Sequence, residues 1–250
     1  MNPLFRVRGL TVRFGGVVAL DGVDLDVDGG ELVGLIGPNG AGKTTFIDAV
    51  CGLVPSSGAV ALASERVEAL APHERARRGI ARTFQSQELF DDLTVRENLL
   101  VAAESPGWST IGRDLVRPAE RTDDPAAVDR VLGSLGLGGK GECLPADLTS
   151  SDRGLVALAR ALAGRPRVLL LDEPAAGLDE TARAAMARRL RALADAGMAL
   201  VLVDHDMTLV LGVCDRVTVL DFGRVIAAGV PAEVRVHPAV IEAYLGTATA

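Results

Sequence analysis

Aromatic residues are scarce in this chain: Phe, Tyr and Trp make up 3% of 250 residues, against 48% hydrophobic overall. A core for this length must therefore be built from Ala, Val and Leu. Cysteine is scarcer still. Cys51, Cys143 and Cys214 are odd in number, widely spaced and free of any C-x-x-C pair. That points to reduced, buried thiols in a cytosolic protein rather than a metal or redox centre. No apolar run approaches the roughly 18 residues a membrane span needs, and Met1-Asn2-Pro3-Leu4-Phe5-Arg6 lacks the apolar stretch of a signal peptide. The expectation is a soluble protein whose membrane connection runs through a partner. Positive charge is also short: 26 Lys and Arg against 33 Asp and Glu give a formal net charge of −7 and a pI near 5.1. This argues against a broad nucleic-acid-binding surface, while leaving room for a local basic patch.

Glycine, by contrast, is plentiful. Its most informative cluster is Gly37-Pro38-Asn39-Gly40-Ala41-Gly42-Lys43-Thr44-Thr45, which fits the phosphate-cradling loop G-x-x-x-x-G-K-[ST]. The surroundings fit as well. Glu31 to Ile36 reads as a short buried strand, and Phe46 to Val50 continues as a helix ending near Gly52. Glycines let the backbone curl with its N–H groups inward, and the helix presents its positive N-terminal end to the phosphates. Lys43 is placed to reach the β and γ phosphates of a nucleoside triphosphate, and the Thr44 hydroxyl to ligate Mg²⁺.

Around this loop the chain alternates. Leu4 to Thr11, Val17 to Leu20 and Val23 to Val27 carry strand signals, the last alternating apolar and polar as a half-exposed antiparallel strand does. Gly15-Gly16 and Asp21-Gly22 supply turns. Ala59 to Ala63 reads as a strand, Glu74 to Arg78 as a short basic helix, and Gly79 to Gln85 as a return to the central sheet. Thr94-Val95-Arg96-Glu97 is a capping box opening a helix to about Ala103. A Pro/Gly-rich stretch holding Trp108 follows, then a helix from Ala126 to Leu135. A helix over Arg153 to Leu162, the strand Val168 to Leu171, a helix over Thr181 to Ala196 and the strand Leu200 to Val203 continue the pattern. Unalternating strands between amphipathic helices predict a parallel sheet covered on both faces. A hairpin (Val217 to Leu220, Arg224 to Ala227) and a helix over Pro238 to Leu245 close the chain. The fold class is α/β: a P-loop NTPase (RecA-like) core with an N-terminal antiparallel β subdomain and an inserted α-helical subdomain. The expected division is about 1–85 and 151–235 for the β subdomain and P-loop core, 86–150 for the helical subdomain and 236–250 for the C-terminal helix.

Strand 168–171 runs into Asp172-Glu173-Pro174, which puts two carboxylates at the C-terminal edge of the sheet, where open α/β folds bind ligands. Asp172 suits a direct or indirect hold on Mg²⁺, and Glu173 a general base polarising the attacking water. With these residues in place, the sequence resembles the nucleotide-binding subunit of an ABC transporter over essentially its whole length. Residues 37–45 match the family's Walker A motif, and 168–172 with Glu173 match Walker B. Gln85 in Arg82-Thr83-Phe84-Gln85 matches the Q-loop glutamine, a further ligand to the metal. Asp179 in Ala176-Gly177-Leu178-Asp179 matches the D-loop, and His205 in Val203-Asp204-His205-Asp206-Met207 matches the switch histidine. Phe14 matches the aromatic platform for adenine, a stacking worth roughly 1–3 kcal/mol per base in nucleic-acid binders. Taken singly, His205, Gln85 and Phe14 would carry no such weight. His73 and His237 fit no motif.

Phe14-Gly15-Gly16, Gly79 to Gln85, Leu93 to Leu99, Ala175 to Leu178 and the tail Pro238 to Gly246 are similar to the ATPases of branched-chain amino acid importers. Lipopolysaccharide-export ATPases share some of this, with a poorer fit in the tail and the Arg82–Gln85 run. The resemblance implies an ATPase using ATP and Mg²⁺ at the inner face of the cell membrane. It implies a second ABC ATPase subunit, two integral-membrane permeases and, indirectly, an extracytoplasmic solute-binding protein.

One motif departs from the family. Its Leu-Ser-Gly-Gly-Gln signature aligns with Leu148-Thr149-Ser150-Ser151-Asp152, in register with Ala159-Arg160-Ala161-Leu162. In the family this loop caps a helix aimed at the γ-phosphate held by the opposite subunit. Thr149 keeps a hydroxyl, Ser151 replaces a glycine that allows close backbone approach, and Asp152 adds a carboxylate. Like charges about 5 Å apart repel by roughly 3 kcal/mol at an effective dielectric near 20. Asp152 is also a good helix N-cap. A chain with intact Walker motifs and an altered signature suits a heterodimer more than a homodimer. Two rival readings stand beside the transporter ATPase. A nucleotide-binding regulatory or assembly subunit with little hydrolysis draws support from the signature and is opposed by Glu173. An ABC ATPase acting on DNA or ribosomes is opposed by the acidic pI, the absence of a coiled-coil insertion and the single cassette.

Overall fold

The structure, a computed structural model, describes residues 3–83, 89–103 and 125–245. The Q-loop Gln85 and Trp108 lie outside the described residues. The first strands are β1 (Phe5–Phe14) and β2 (Val17–Val27), paired antiparallel around the Gly15-Gly16 turn. Alternation decides their faces: Val23, Leu25 and Val27 are buried while Asp24 is exposed. β1 also pairs antiparallel with β4 (Ser57–Leu62), which carries the two-residue β5 (Glu65–Arg66) at the sheet edge.

The second sheet is built on β3 (Leu32–Ile36), β7 (Val168–Asp172) and β8 (Ala199–Val203), every residue of which is buried. β9 (Arg216–Asp221) and β6 (Ile80–Arg82) flank them in parallel, and β10 (Arg224–Gly229) joins antiparallel at the edge. The order is β10-β9-β3-β8-β7-β6. Unbroken apolar strands form a parallel sheet because both faces are covered. One cover is α1 (Lys43–Cys51), which buries Phe46, Ile47, Ala49 and Val50 and stops at Gly52 in the left-handed conformation, φ 77°. Another is α7 (Met207–Val213), which packs so closely that a Cβ on Gly34 would stand 2.5 Å from Val210 Cγ1.

α7 and α8 (Pro231–Arg235) have no counterpart in the sequence reading. Each is shorter than two full turns, too short for helical periodicity to register. α7 starts because the Asp206 carboxylate accepts the amides of Thr208 (2.9 Å) and Leu209 (3.2 Å). α2 (Pro72–Arg78), α6 (Glu180–Asp195) and α9 (Pro238–Leu245) lie where expected.

The described residues form two compact units, one drawn from 1–85 and 167–250 and the other from 86–166. The second contains α3 (Val95–Ala103), α4 (Pro125–Ser134) and α5 (Ser150–Ala163). The capping box forms as read: the Thr94 amide donates to Glu97 Oε2 (2.8 Å) and the Glu97 amide to Thr94 Oγ1 (3.2 Å). The expected boundary near residue 150 puts α5 with the α/β core. It groups with the helical unit instead, because it packs on α3 and α4; its Leu155, Val156, Leu158 and Ala159 are buried.

Candidate nucleotide site

Residues 37–42 link β3 to α1 at the C-terminal edge of the parallel sheet. Gly37 adopts φ 155°, and a Cβ there would lie 2.2 Å from the Leu220 carbonyl oxygen. Pro38 accepts the Ala41 amide (3.2 Å), and Gly42, at φ 105°, caps α1 with no side-chain partner. The first-turn amides of α1 thus keep no side-chain acceptor from the cap. Lys43 is buried, its Nζ donating to the carbonyls of Gly37 (2.7 Å) and Pro38 (3.0 Å). Burial lowers its pKa, and the charges of Glu173 and Asp172 act the other way. Thr44 and Asn39 are exposed and Thr45 is half-buried. Phe14, at the exposed end of β1, is 49% accessible, so it is not a core aromatic.

β7 delivers the two carboxylates to the same edge. Asp172 is buried, its amide donating to Thr83 Oγ1 (3.2 Å) and Oδ2 lying 3.6 Å from Arg82 Nη2. Burial pushes its pKa up; Arg82 opposes that shift, Glu173 and Asp48 add to it, and Lys43 opposes it. Glu173 adopts φ 48°, fixed by its amide donating to Val203 O (2.8 Å) and its carbonyl accepting the Ala176 amide (3.1 Å). Asp204 and His205 follow β8. His205 is exposed, with Nδ1 at 3.4 Å from Glu173 Oε1 and 3.8 Å from Asp204 Oδ1. Asp204 is buried, and burial raises its pKa against the Asp206 amide that Oδ1 accepts at 2.9 Å. Parallel pairing of β3, β8 and β7 thus brings Lys43, Asp172, Glu173 and His205 to one edge.

Asp179 is the N-cap of α6, Oδ1 accepting the Ala182 amide at 2.8 Å. In the helical unit, Thr149 and not Asp152 is the N-cap of α5, correcting the sequence expectation. Thr149 Oγ1 accepts the Asp152 amide (3.1 Å), while Asp152 Oδ2 accepts the Thr149 hydroxyl (2.7 Å) and pairs with Lys140. A two-carbon side chain three residues inside the helix reaches back to the cap. Ser150 and Ser151 form the first turn, and Leu148 precedes the cap half-buried. Of the three thiols expected to be buried, only Cys214 is, and burial pushes its pKa up to about 12, whereas Cys51 and Cys143 are only partly covered.

Several contacts escaped sequence reasoning. Arg82 bridges Asp48 of α1 and Asp172 of β7. The β9–β10 turn docks on the loop, the Gly223 amide donating to Ala41 O (3.0 Å) and its carbonyl accepting the Asp21 amide (2.9 Å). From α9, Tyr244 brings its hydroxyl to the backbone of Gly37, and burial pushes its pKa up to about 12. These pairs are far apart in the chain and belong to no local pattern.

Residues 20–176 match the family described as "ABC transporter", and residues 224–250 match "Branched-chain amino acid ATP-binding cassette transporter". The chain is 38% identical over 253 residues to the high-affinity branched-chain amino acid transport ATP-binding protein LivG of Escherichia coli, with 99% of each chain covered. It is 37% identical over 255 residues to BraF of Pseudomonas aeruginosa, of the same description, again over 99% of each. Among solved structures it is similar to the ADP conformation of MJ1267, an ATP-binding cassette of an ABC transporter, at 28% identity and a TM-score of 0.85, covering 98% of this chain and 100% of that one. Among the described residues no helix is long and apolar enough to cross a membrane. The phosphate loop, the paired carboxylates at the sheet edge and these full-length likenesses agree: the chain belongs to the ABC transporter family, as one of its ATP-binding subunits.

Proposed function

We propose that this chain is the ATPase subunit of an importer for branched-chain amino acids or similar small polar solutes, docked on two permeases at the inner face of the cell membrane. The observation that carries the chemistry is the 3.4 Å approach of His205 Nδ1 to Glu173 Oε1, at the sheet edge that holds Lys43 and Asp172. Glu173 acts as general base on the attacking water, and His205 orients it and the γ-phosphate. Phe14 stacks on adenine and residues 37–45 hold the phosphates. Full-length likeness to LivG and BraF supports the solute class.

The donor set fits Mg²⁺. Asp172 and Thr44 offer hard oxygens, and Gln85 would add an amide oxygen. The described residues contain no group of three or more His, Cys, Asp or Glu able to hold a metal alone. Mg²⁺ in nucleotide sites is held by one or two carboxylates together with substrate phosphates and water, rather than by an all-protein cage. When bound, the ion neutralises charge on the β and γ phosphates.

The segment 148–152 and the D-loop Asp179 complete the site of a second ATPase subunit. Because residues 149–152 depart from the family's signature, the preferred partner is a different chain carrying a standard one. Robust cooperative turnover by the isolated homodimer would contradict that preference. For the chemistry, Glu173→Gln should lower ATP turnover by about 10²–10⁴, the usual worth of general base catalysis, with ATP binding retained. Turnover within threefold of wild type would remove Glu173 from this role.

A further inference from the structure

We propose that Lys140 is a positioning residue that makes the altered signature segment usable, by neutralising Asp152. The inference rests on reading residues 148–152 as the face offered to the partner's ATP. On that face Asp152 sets a carboxylate in the first turn of α5, where a triphosphate would be repelled. The carboxylate does not stand free. Its Oδ2 accepts the Thr149 hydroxyl at 2.7 Å and pairs with the Lys140 ammonium, leaving the Asp152 side chain 15% exposed. Burial acts to raise the Asp152 pKa, but Lys140 and Thr149 outweigh it and hold the group ionised below the usual range. The pair is thus a carboxylate with its countercharge, not a protonated acid.

The loop that delivers Lys140 is fixed. The Lys140 amide donates to Leu137 O (2.8 Å) and its carbonyl accepts the Cys143 amide (3.1 Å). The next carbonyls, Gly141 and Cys143, accept the Arg96 and Val95 amides of the first turn of α3 at 2.8 and 2.9 Å. The Arg96 side chain holds Glu142 at 2.9 Å and Asp129 at 2.8 Å. The turn thus fixes where the Lys140 side chain leaves the backbone, and its ammonium is held by the pair with Asp152. Composition singles it out as well. Of 26 basic residues only two are lysines, Lys43 of the phosphate loop and Lys140. An ammonium is a compact point charge, able to cover one oxygen without spreading a planar fork over the helix start.

The test uses the full-length chain purified through a tag together with the subunits that accompany it, comparing wild type, Lys140→Ala, Lys140→Arg, Asp152→Asn and the Lys140→Ala/Asp152→Asn pair. Lys140→Ala is expected to lower kcat/KM for MgATP at least tenfold, while Lys140→Arg stays within threefold. The double variant should return to the level of Asp152→Asn, because removing the carboxylate removes the need for its countercharge. Lys140→Ala within threefold of wild type overturns the inference. So does a double variant as slow as Lys140→Ala, since that loss would be structural. Nucleotide affinity of the isolated chain separates the two readings. Wild type that binds no ATP overturns the proposed function and this inference with it; wild type that binds ATP, with an unaffected Lys140→Ala, overturns this inference alone.

Discussion

Glu173 holds a backbone conformation that costs a non-glycine residue about 1–3 kcal/mol and persists only where its surroundings over-determine it. Here the amide of Glu173 and its carbonyl are both engaged, at 2.8 and 3.1 Å, and the carboxylate meets His205. Gly37 shows the opposite case, a conformation only glycine can fill. Gly37→Ala would drive a methyl into the Leu220 carbonyl at 2.2 Å, so the loop must move. Titration calorimetry should find MgATP affinity weakened at least tenfold. Thermal unfolding without nucleotide isolates the clash, with Gly40→Ala as the control: no protein atom lies within 4 Å of its Cβ position, leaving left-handed strain of roughly 1–2 kcal/mol. Equal effects from the two would contradict the steric account. At this scale the motif residues were legible because phosphate binding needs a fixed local spacing. The neighbours that tune them, Arg82, Tyr244 and Lys140, were not.

Among the elements, β3 matters most because the phosphate loop hangs from it. Its start is held by Asp215: the Leu32 amide donates to Asp215 Oδ2 (2.8 Å), the Asp215 amide donates to Leu32 O (2.8 Å), and Arg191 Nη1 reaches both carboxylate oxygens. Burial acts to raise the Asp215 pKa, but the Leu32 amide and Arg191 outweigh it and hold it below the ordinary value of 3.8. A depressed carboxylate stabilises the fold above its unfolded pKa, and the gain is lost as pH falls through the folded value. Asp215→Asn should therefore lower the denaturant midpoint at pH 7. The gap should close as pH falls below about 3.8, and a gap independent of pH would remove the charge from the explanation. The strands were legible from apolar runs and alternation, whereas α7 and α8 were not, since a helix under two turns depends on its cap and its packing.

For the whole molecule, ATP binds the folded chain and not the unfolded one. At a hundredfold excess over Kd that linkage is worth about 2.7 kcal/mol, a rise in thermal midpoint on the order of 5–10 °C for a chain of this size. A wild-type protein with no shift, or one matched by Gly37→Ala, would count against a site at the sheet edge.

By itself the sequence determined the chemistry on offer: a phosphate loop between strand and helix, paired carboxylates after a buried strand, a histidine after the next, and an altered signature. Each is encoded within a few consecutive residues, where spacing and turn chemistry suffice. Only the tertiary structure decided which of these meet and what surrounds them. Parallel pairing of β3, β8 and β7 sets Lys43, Asp172, Glu173 and His205 side by side, and a turn tied to α3 carries Lys140 to Asp152. Electrostatics acts through space, so a carboxylate twelve residues from its countercharge looks unpaired until the chain has folded.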